Sequence, residues 1–252
     1  MNIIQALILG IVQGITEWLP ISSSGHLAII QNVFGLEVPI LFDVLLHVSS
    51  LFVLLIVFRQ DILLSLKALI KWDWKSEYGK LNMFLIIGII PTILVGYFLH
   101  NLILSLFTNM LAIGTALIIT GFILFFCKGK ESTKKLNYNN SVLIGLAQGL
   151  AIIPGISRSG ATIGVGILSG VERKKVIRFS FLLAIPAIIG AALFEAPSLT
   201  QLELIPTLVG TITSFVIGYV SLKFIIKLIT KNKFWLFSIY CWILGIIVLV
   251  TL

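Results

Sequence analysis

The chain alternates between long apolar runs and short polar connections. Six runs rich in Leu, Ile, Val and Phe lie at 42–58, 82–99, 110–127, 179–194, 206–222 and 234–252. A helix that crosses a bilayer needs roughly 20 predominantly apolar residues. The pattern therefore predicts six transmembrane helices.

Two further segments, 2–34 and 141–170, are apolar but interrupted. Each has two short apolar arms around a polar centre that contains Gly and Pro. The arms are too short to span, and irregular backbone at membrane depth is tolerated only where it is buried in protein or lines a wet cavity. We therefore predict that each segment enters the membrane and returns on its own side, as a re-entrant helical hairpin.

Composition supports the membrane assignment. Hydrophobic residues make up 58% of the chain and charged residues 11%, which lies outside the range of soluble domains. No polar linker divides the chain, so we predict a single membrane domain over 1–252 and a multi-pass topology in the bilayer.

The net charge of +8 is distributed as a topology signal. All but one of the 18 Lys and Arg residues fall in four clusters between the apolar runs, whereas three other connections carry none. The positive-inside rule places the basic clusters on the cytoplasmic side and the uncharged connections outside, and this distribution argues against nucleic acid as a partner. The basic clusters lie within 59–80, 128–135, 173–178 and 223–233, and the connections without Lys or Arg are 35–43, 100–109 and 195–205.

The two hairpins are similar in sequence. When the first is shifted by 135 positions, Gly10, Gln13 and Gly14 fall on Gly145, Gln148 and Gly149, and Ser22, Ser24 and Gly25 fall on Ser157, Ser159 and Gly160. Each hairpin is followed by three predicted crossings, so a second copy of the unit must insert upside down. The predicted fold class is an all-α integral membrane protein with six transmembrane helices and two re-entrant hairpins in an inverted 3+3 repeat. Repeat one covers 2–127 with hairpin 2–34, and repeat two covers 141–252 with hairpin 141–170.

The hairpin centres read "EWLPISSSGHL" at 17–27 and "IPGISRSGATI" at 153–163. Ser and Gly before an apolar run are signals for a helix start, so two helix N-termini are expected to meet near the midplane and to form an anion site. Arg158 adds a permanent cation with a fork suited to phosphate. The candidate groups that contact the anion are Ser22, Ser23, Ser24, Gly25, Ser157, Arg158, Ser159, Gly160 and Thr162.

Glu17 is a carboxylate in this anion site, and two explanations are open. It binds a divalent cation that bridges to phosphate, with Gln13 one helical turn earlier as a neutral ligand, or it pairs with Arg158 or His26 as an orienting or proton-accepting group. The nucleophile is also open: Ser23, His26 and a metal-bound water all qualify. Asp43 and His47 are interpreted as structural or rim residues.

The residues at the hairpin centres carry a family resemblance. "GIVQGITEWLPISSSGHL" and "PGISRSGATI" resemble the two signatures of the undecaprenyl-diphosphate phosphatases of the bacitracin-resistance type, and "FSFLLAIP" at 179–186 is similar to that family as well. The likeness covers nearly the whole chain. It implies conversion of a polyprenyl diphosphate lipid to the monophosphate carrier, in the cytoplasmic membrane of a bacterium, with a site open to the outer face.

The resemblance also assigns roles. The family's acidic pair falls on Gln13 and Glu17, its nucleophilic serine on Ser23, its histidine on His26 and its phosphate-binding arginine on Arg158. It implies a divalent cation, Mg²⁺ or Ca²⁺, held by Glu17 and Gln13. Many members have Glu where this chain has Gln13, so more weight falls on Glu17.

The architecture leaves an alternative function open. Inverted repeats with broken hairpins at the midplane are typical of transporters, so a polyprenyl-phosphate flippase would show the same pattern. A nucleophile beside a carboxylate and a phosphate-gripping arginine favours the enzyme. The oligomeric state is open as well, with a homodimer as one option.

Overall fold

The structure is a computed structural model that describes residues 1–36, 38–130, 133–195 and 202–251. Part of the predicted external connections 35–43 and 195–205 lies outside the described residues. Within the described ranges the chain is helical, and the β pairing consists of one bridge between Lys134 and Val171. The helices are α1 Ile3–Thr16, α2 Ser23–Val33, α3 Ile40–Val57, α4 Arg59–Ile70, α5 Glu77–Phe98, α6 His100–Leu106, α7 Met110–Phe125, α8 Tyr138–Leu150, α9 Arg158–Leu168, α10 Arg173–Glu195, α11 Leu204–Thr230 and α12 Phe237–Val250.

The helices confirm an all-helical, multi-pass membrane protein. α3, α5, α10 and α11 are each long and apolar enough to cross a bilayer, and a fifth span is added if α6 and α7, which meet at 100°, are counted as one broken span. The predicted runs 110–127 and 234–252 contain α7 and α12, which have 16 and 14 residues and so fall short of a full crossing by themselves. The finer arrangement of six spans in an inverted repeat stays a prediction.

The basic clusters are more helical than the sequence pattern suggested. α4 begins in the first cluster, α10 begins at Arg173 within the third, and α11 continues to Thr230 through much of the fourth. Lys and Arg are good helix formers whose long stems can cover apolar surface while the charge stays in water. The helices therefore run on through clusters that looked like connections.

Close helix packing places the short hairpin helices. α1 packs on α11 and α8 packs on α5, in both cases through glycines. A methyl group added at Gly14 would lie 2.8 Å from the carbonyl oxygen of Ser214, and one added at Gly149 would lie 2.8 Å from the Cβ of Val95. Only glycine permits so close an approach, which lets α1 lie directly on α11 and α8 directly on α5.

Candidate active site

The breaks in the two hairpins face each other. The first break lies between α1 and α2, and the second between α8 and α9. Ser22 caps α2 by accepting a hydrogen bond from the Gly25 amide at 3.2 Å, and Ser157 caps α9 by accepting one from the Gly160 amide at 3.0 Å. The Gly155 amide donates to Ser22 Oγ at 3.0 Å and so joins the two breaks directly. The helix N-termini therefore meet as the sequence predicted.

Glu17 lies at the centre of this junction, and its side chain is almost fully buried. Its Oε1 accepts a hydrogen bond from Arg158 at 2.5 Å. Its Oε2 accepts one from the Ser23 hydroxyl at 2.7 Å and one from the Gln13 amide at 3.0 Å. The carboxylate therefore brings together Gln13, Ser23 and Arg158, three residues that the sequence analysis had singled out.

One terminal nitrogen of Arg158 bonds Glu17, and the other has no partner among the described residues. The residue is the first of α9, its NH2 group bonds Glu17, and its guanidinium lies 5.9 Å from the centre of the Trp18 ring. Its NH1 group has no hydrogen-bond partner among the described residues. A buried donor without a partner is costly, so this group is available for an incoming anion.

The ring of His47 also reaches Glu17. His47 Nε2 lies 3.4 Å from Glu17 Oε2, while Nδ1 lies 2.7 Å from the Asp43 carbonyl oxygen one turn earlier in α3. A carbonyl oxygen only accepts, so Nδ1 carries a hydrogen and Nε2 is the nitrogen that faces the carboxylate. The Asp43 side chain in turn accepts a hydrogen bond from Gln31 at 2.8 Å. His47 and Asp43, interpreted from the sequence as structural or rim residues, thus lie beside Glu17 and line the same cavity.

A cavity of about 470 Å³ opens from this junction. Its wall continues along successive turns of α5 at Ile89, Ile93 and Tyr97, a rise of about 12 Å, and along α10 to Phe194. At that far end the rings of His100 and Phe194 meet edge to face with centroids 4.7 Å apart. The cavity is therefore polar at the hairpin breaks and apolar along its length. The polar side chains at the hairpin breaks are Glu17, Ser22, Ser23, Ser24, Asp43, His47, Thr92, Gln148, Ser157 and Arg158, and Tyr97, His100 and Glu195 add polar groups toward the far end.

The other predicted site residues lie around this cavity and support it. Ser159 donates to the Leu19 carbonyl of the opposite hairpin at 3.2 Å. The Thr162 hydroxyl lies 2.6 Å from that of Ser180 on α10 and donates to the Arg158 carbonyl. Both residues connect neighbouring elements beside the junction.

His26 lies beside the first break and faces α12. Its Nδ1 lies 2.7 Å from the Ser22 carbonyl oxygen and its Nε2 lies 2.7 Å from the Tyr240 hydroxyl. Both ring nitrogens are therefore occupied, and the side chain contacts the backbone of the break.

Three residues contribute to the site without having been predicted from the sequence. Thr120 on α7 accepts a hydrogen bond from the Ser157 amide at 3.1 Å and donates to the Gly155 carbonyl at 2.9 Å, so it supports the second break. Gln148 donates to Thr92 and to the Leu183 carbonyl at the cavity wall. Tyr240 bonds His26. Gln148 carried a signal, since it repeats Gln13 at the common shift, whereas Thr120 and Tyr240 stand in apolar runs without a motif.

Comparisons with known proteins agree over the full length. Residues 6–247 match the family described as Bacitracin resistance protein BacA. A protein named undecaprenyl-diphosphatase from Carboxydothermus hydrogenoformans is 42% identical over 99% of this chain and 97% of its own length. Proteins of the same name from Halothermothrix orenii and Methanobrevibacter smithii are 38% and 40% identical, over 99% and 98% of this chain and 98% and 97% of their own lengths.

Proposed function

The chain belongs to the family of the bacitracin resistance protein BacA, and from that membership we propose that it is an undecaprenyl-diphosphate phosphatase. It removes the terminal phosphate of undecaprenyl diphosphate and returns undecaprenyl phosphate, the lipid carrier of cell-wall polysaccharide synthesis. The names of the relatives do not favour the flippase alternative.

The observation that carries the proposal is the contact of Ser23 with Glu17. A serine hydroxyl becomes a nucleophile when an adjacent base takes its proton, and the Ser23 hydroxyl donates to Glu17 Oε2 at 2.7 Å. Ser23 is also the first residue of α2, where the positive end of the helix dipole lowers the energy of a developing alkoxide.

The chemistry follows from these positions. Ser23 Oγ attacks the terminal phosphorus while its proton passes to Glu17, and the bond between that phosphorus and the bridging oxygen breaks. Undecaprenyl phosphate leaves with the electron pair of that bond. Water then attacks the phosphoserine, inorganic phosphate is released, and the serine regains a proton. The free NH1 group of Arg158 donates to the phosphate oxygens whose charge grows in each step.

The cavity suits a lipid diphosphate. A diphosphate head at the polar end would meet Arg158 and the two helix N-termini, while the first isoprene units would lie along the apolar wall formed by α5 and α10. Apolar residues exposed on the outer faces of the helices would keep the rest of the chain in contact with the bilayer.

A divalent cation, Mg²⁺ or Ca²⁺, is part of the proposal, and the residues fit one. The side-chain oxygen of Gln13 is buried and lacks a hydrogen-bond partner within the described chain, and it belongs to the same amide that contacts Glu17. Carboxylate and amide oxygens are suitable ligands for both ions. The described residues hold no cluster of three His, Cys, Asp or Glu, so Glu17 and Gln13 would hold the ion together with the substrate's phosphate oxygens. Once bound, the ion neutralises part of the diphosphate charge.

We propose the inverted 3+3 repeat as the membrane arrangement. Gly10 and Gly14 pack on α11 at Gly210, Ser214 and Gly218, and the equivalent Gly145 and Gly149 of α8 pack on α5 at Gly88 and Thr92, which have the same spacing as Gly210 and Ser214. Such a match is expected when one unit is duplicated and each hairpin helix packs on a span of the other copy.

Orientation follows from the charge pattern. With the basic clusters in the cytoplasm, the far end of the cavity at His100 opens to the outer face of the cytoplasmic membrane. A homodimer stays a prediction, for which light scattering of the purified protein is the measurement.

The test is phosphate release by the purified protein in detergent. Wild-type protein supplied with undecaprenyl diphosphate and Mg²⁺ or Ca²⁺ is expected to release inorganic phosphate, and chelation of the ion is expected to stop the release. Glu17→Gln is expected to abolish activity, because an amide cannot take the Ser23 proton. Glu172→Gln removes a surface carboxylate that pairs with Lys175 and serves as the matched control. Lipid movement across proteoliposomes without phosphate release would instead support the flippase.

A further inference from the structure

A hydrogen-bonded chain connects α12 to the first hairpin break. The Ser22 carbonyl can only accept, so the hydrogen on the imidazole of His26 lies on Nδ1. In the neutral ring Nε2 is then an acceptor, and the Tyr240 hydroxyl donates to it at 2.7 Å. The two rings are also stacked, with centroids 5.7 Å apart and planes inclined by 7°.

The residue at the end of this chain is held in an unfavourable conformation. Ser22 has φ +67° and ψ +95°, in a region that residues with a Cβ rarely adopt. Such a conformation persists only when its surroundings fix it. Ser22 is fixed from both sides, because its Oγ accepts hydrogen bonds from Gly25 and Gly155 while its carbonyl accepts the bond from His26.

The next residue in the chain is Ser23. Its hydroxyl must stay in line with Glu17, and a misplacement of about 1 Å can lower a rate by about 100-fold. The conformation of Ser22 sets the direction in which the chain enters α2 and therefore the position of that hydroxyl.

We propose that Tyr240 is a positioning residue of the phosphatase reaction, which acts through His26 on Ser22 and thereby orients Ser23. The inference rests on the proposed function. α12 braces the first break at a second point as well, since the Cys241 thiol donates to the Pro20 carbonyl at 3.6 Å. Tyr240 does not line the cavity, so its contribution is to the geometry of the site and not to contact with the substrate.

The first test is Tyr240→Phe, which keeps the stacked ring and removes only the hydroxyl. Loss of one neutral hydrogen bond predicts a fall in kcat of about tenfold or less, and we expect about three- to tenfold with KM within about twofold of wild type. The control is Tyr219→Phe, which removes a tyrosine hydroxyl that bonds Lys223 on the exposed side of α11 and is expected to leave kcat unchanged. An unchanged kcat in Tyr240→Phe, or a change in KM alone, would overturn the proposal.

A double-mutant cycle tests the route through His26. If Tyr240 acts only through that ring, Tyr240→Phe changes kcat by less than about twofold when it is added to His26→Ala. If Tyr240→Phe instead lowers kcat by the same factor in wild type and in His26→Ala, Tyr240 acts by another route and the proposed connection through His26 is refuted.

A spectroscopic measurement tests the hydrogen bond between Tyr240 and His26 independently of enzyme activity. The chain has three histidines, so ¹⁵N-histidine spectra of the protein in detergent are resolvable, and His26→Ala identifies the signals of that ring. We expect Nδ1 of His26 to carry the hydrogen, and we expect Tyr240→Phe to shift its Nε2 signal while those of His47 and His100 stay in place. Unmoved Nε2 signals would refute the contact.

Absence of phosphate release by wild-type protein would refute the proposed function, whereas normal release by both wild type and Tyr240→Phe would refute the positioning role alone.

Discussion

Arg158→Lys separates the two tasks of the guanidinium. In the structure one nitrogen of Arg158 bonds Glu17 and the other has no partner within the described chain. A lysine keeps the positive charge but ends in a single nitrogen. It can therefore neutralise Glu17 or grip the phosphate, but it cannot do both with the fixed geometry of the fork. We expect the variant to fold and to turn over slowly.

The size of the effect follows from the bond that is lost. A hydrogen bond to a charged group contributes about 1.5–3 kcal/mol, and each 1.36 kcal/mol corresponds to about a tenfold change in rate. Loss of the phosphate contact made by NH1 therefore predicts a fall in kcat/KM of about 10- to 150-fold. The contact strengthens as charge develops on the phosphate, so most of the fall is expected in kcat.

The assay compares initial rates of phosphate release at several substrate concentrations, with melting temperature as the measure of folding. Arg173→Lys is the matched control, because Arg173 donates to the Lys130 carbonyl at an exposed end of α10. We expect wild-type kinetics from the control. If Arg158→Lys lies within about twofold of wild type in kcat/KM, Arg158 only neutralises Glu17 and its phosphate-binding role is wrong.

Three further predictions test the nucleophile, the packing and the topology. Ser23→Ala is expected to lose turnover while it still binds substrate, and an acid-quenched wild-type reaction with labelled terminal phosphate should carry the label on serine; normal turnover of the variant would favour attack by water. Gly145→Ala is expected to lower the melting temperature, because the new methyl overlaps the α5 backbone at a cost of about 1–3 kcal/mol, whereas a methyl at Gly190 meets no atom of the described chain within 4 Å and should be tolerated. A cysteine placed at the exposed position Asn101 is expected to label from outside in intact cells, whereas one at the exposed position Asn139 is expected to label only after permeabilisation. Labelling of both cysteines from the same side would refute the inverted repeat.

Much of the site was predictable because its signals are local. The polar centres stand out against an apolar background, and Ser22 and Ser157 occupy the cap positions that their sequence context indicates. Gln13 lies one helical turn before Glu17, so their contact follows from helix geometry alone. The meeting of the two hairpin breaks could be predicted from their shared residue spacing and from the charge pattern, and both are visible in the sequence.

The contacts that the sequence analysis missed depend on tertiary packing. His47 lies 30 positions after Glu17 in an apolar run, and only the packing of α3 brings its ring to the carboxylate. Tyr240 lies 214 positions after His26, and nothing in its neighbourhood marks it. An ionisable residue in an apolar run is a functional candidate by default, and that rule would have raised the weight of Asp43 and His47.

The two hairpin breaks are similar in sequence but present different side chains to the site. Under the common shift Ser23 corresponds to Arg158, and both are the first residue of the helix that follows the break. Glu17 corresponds to Ile152, so the second hairpin has no carboxylate at this position. Ser22 and Ser157 cap their helices through the same side-chain hydrogen bond to the amide three residues on, although only Ser22 has a positive φ, and the first helical position differs between the two. The first break presents a hydroxyl to the carboxylate and the second presents a cation to it. In the mechanism that we propose, the first side therefore attacks phosphorus and the second holds its oxygens.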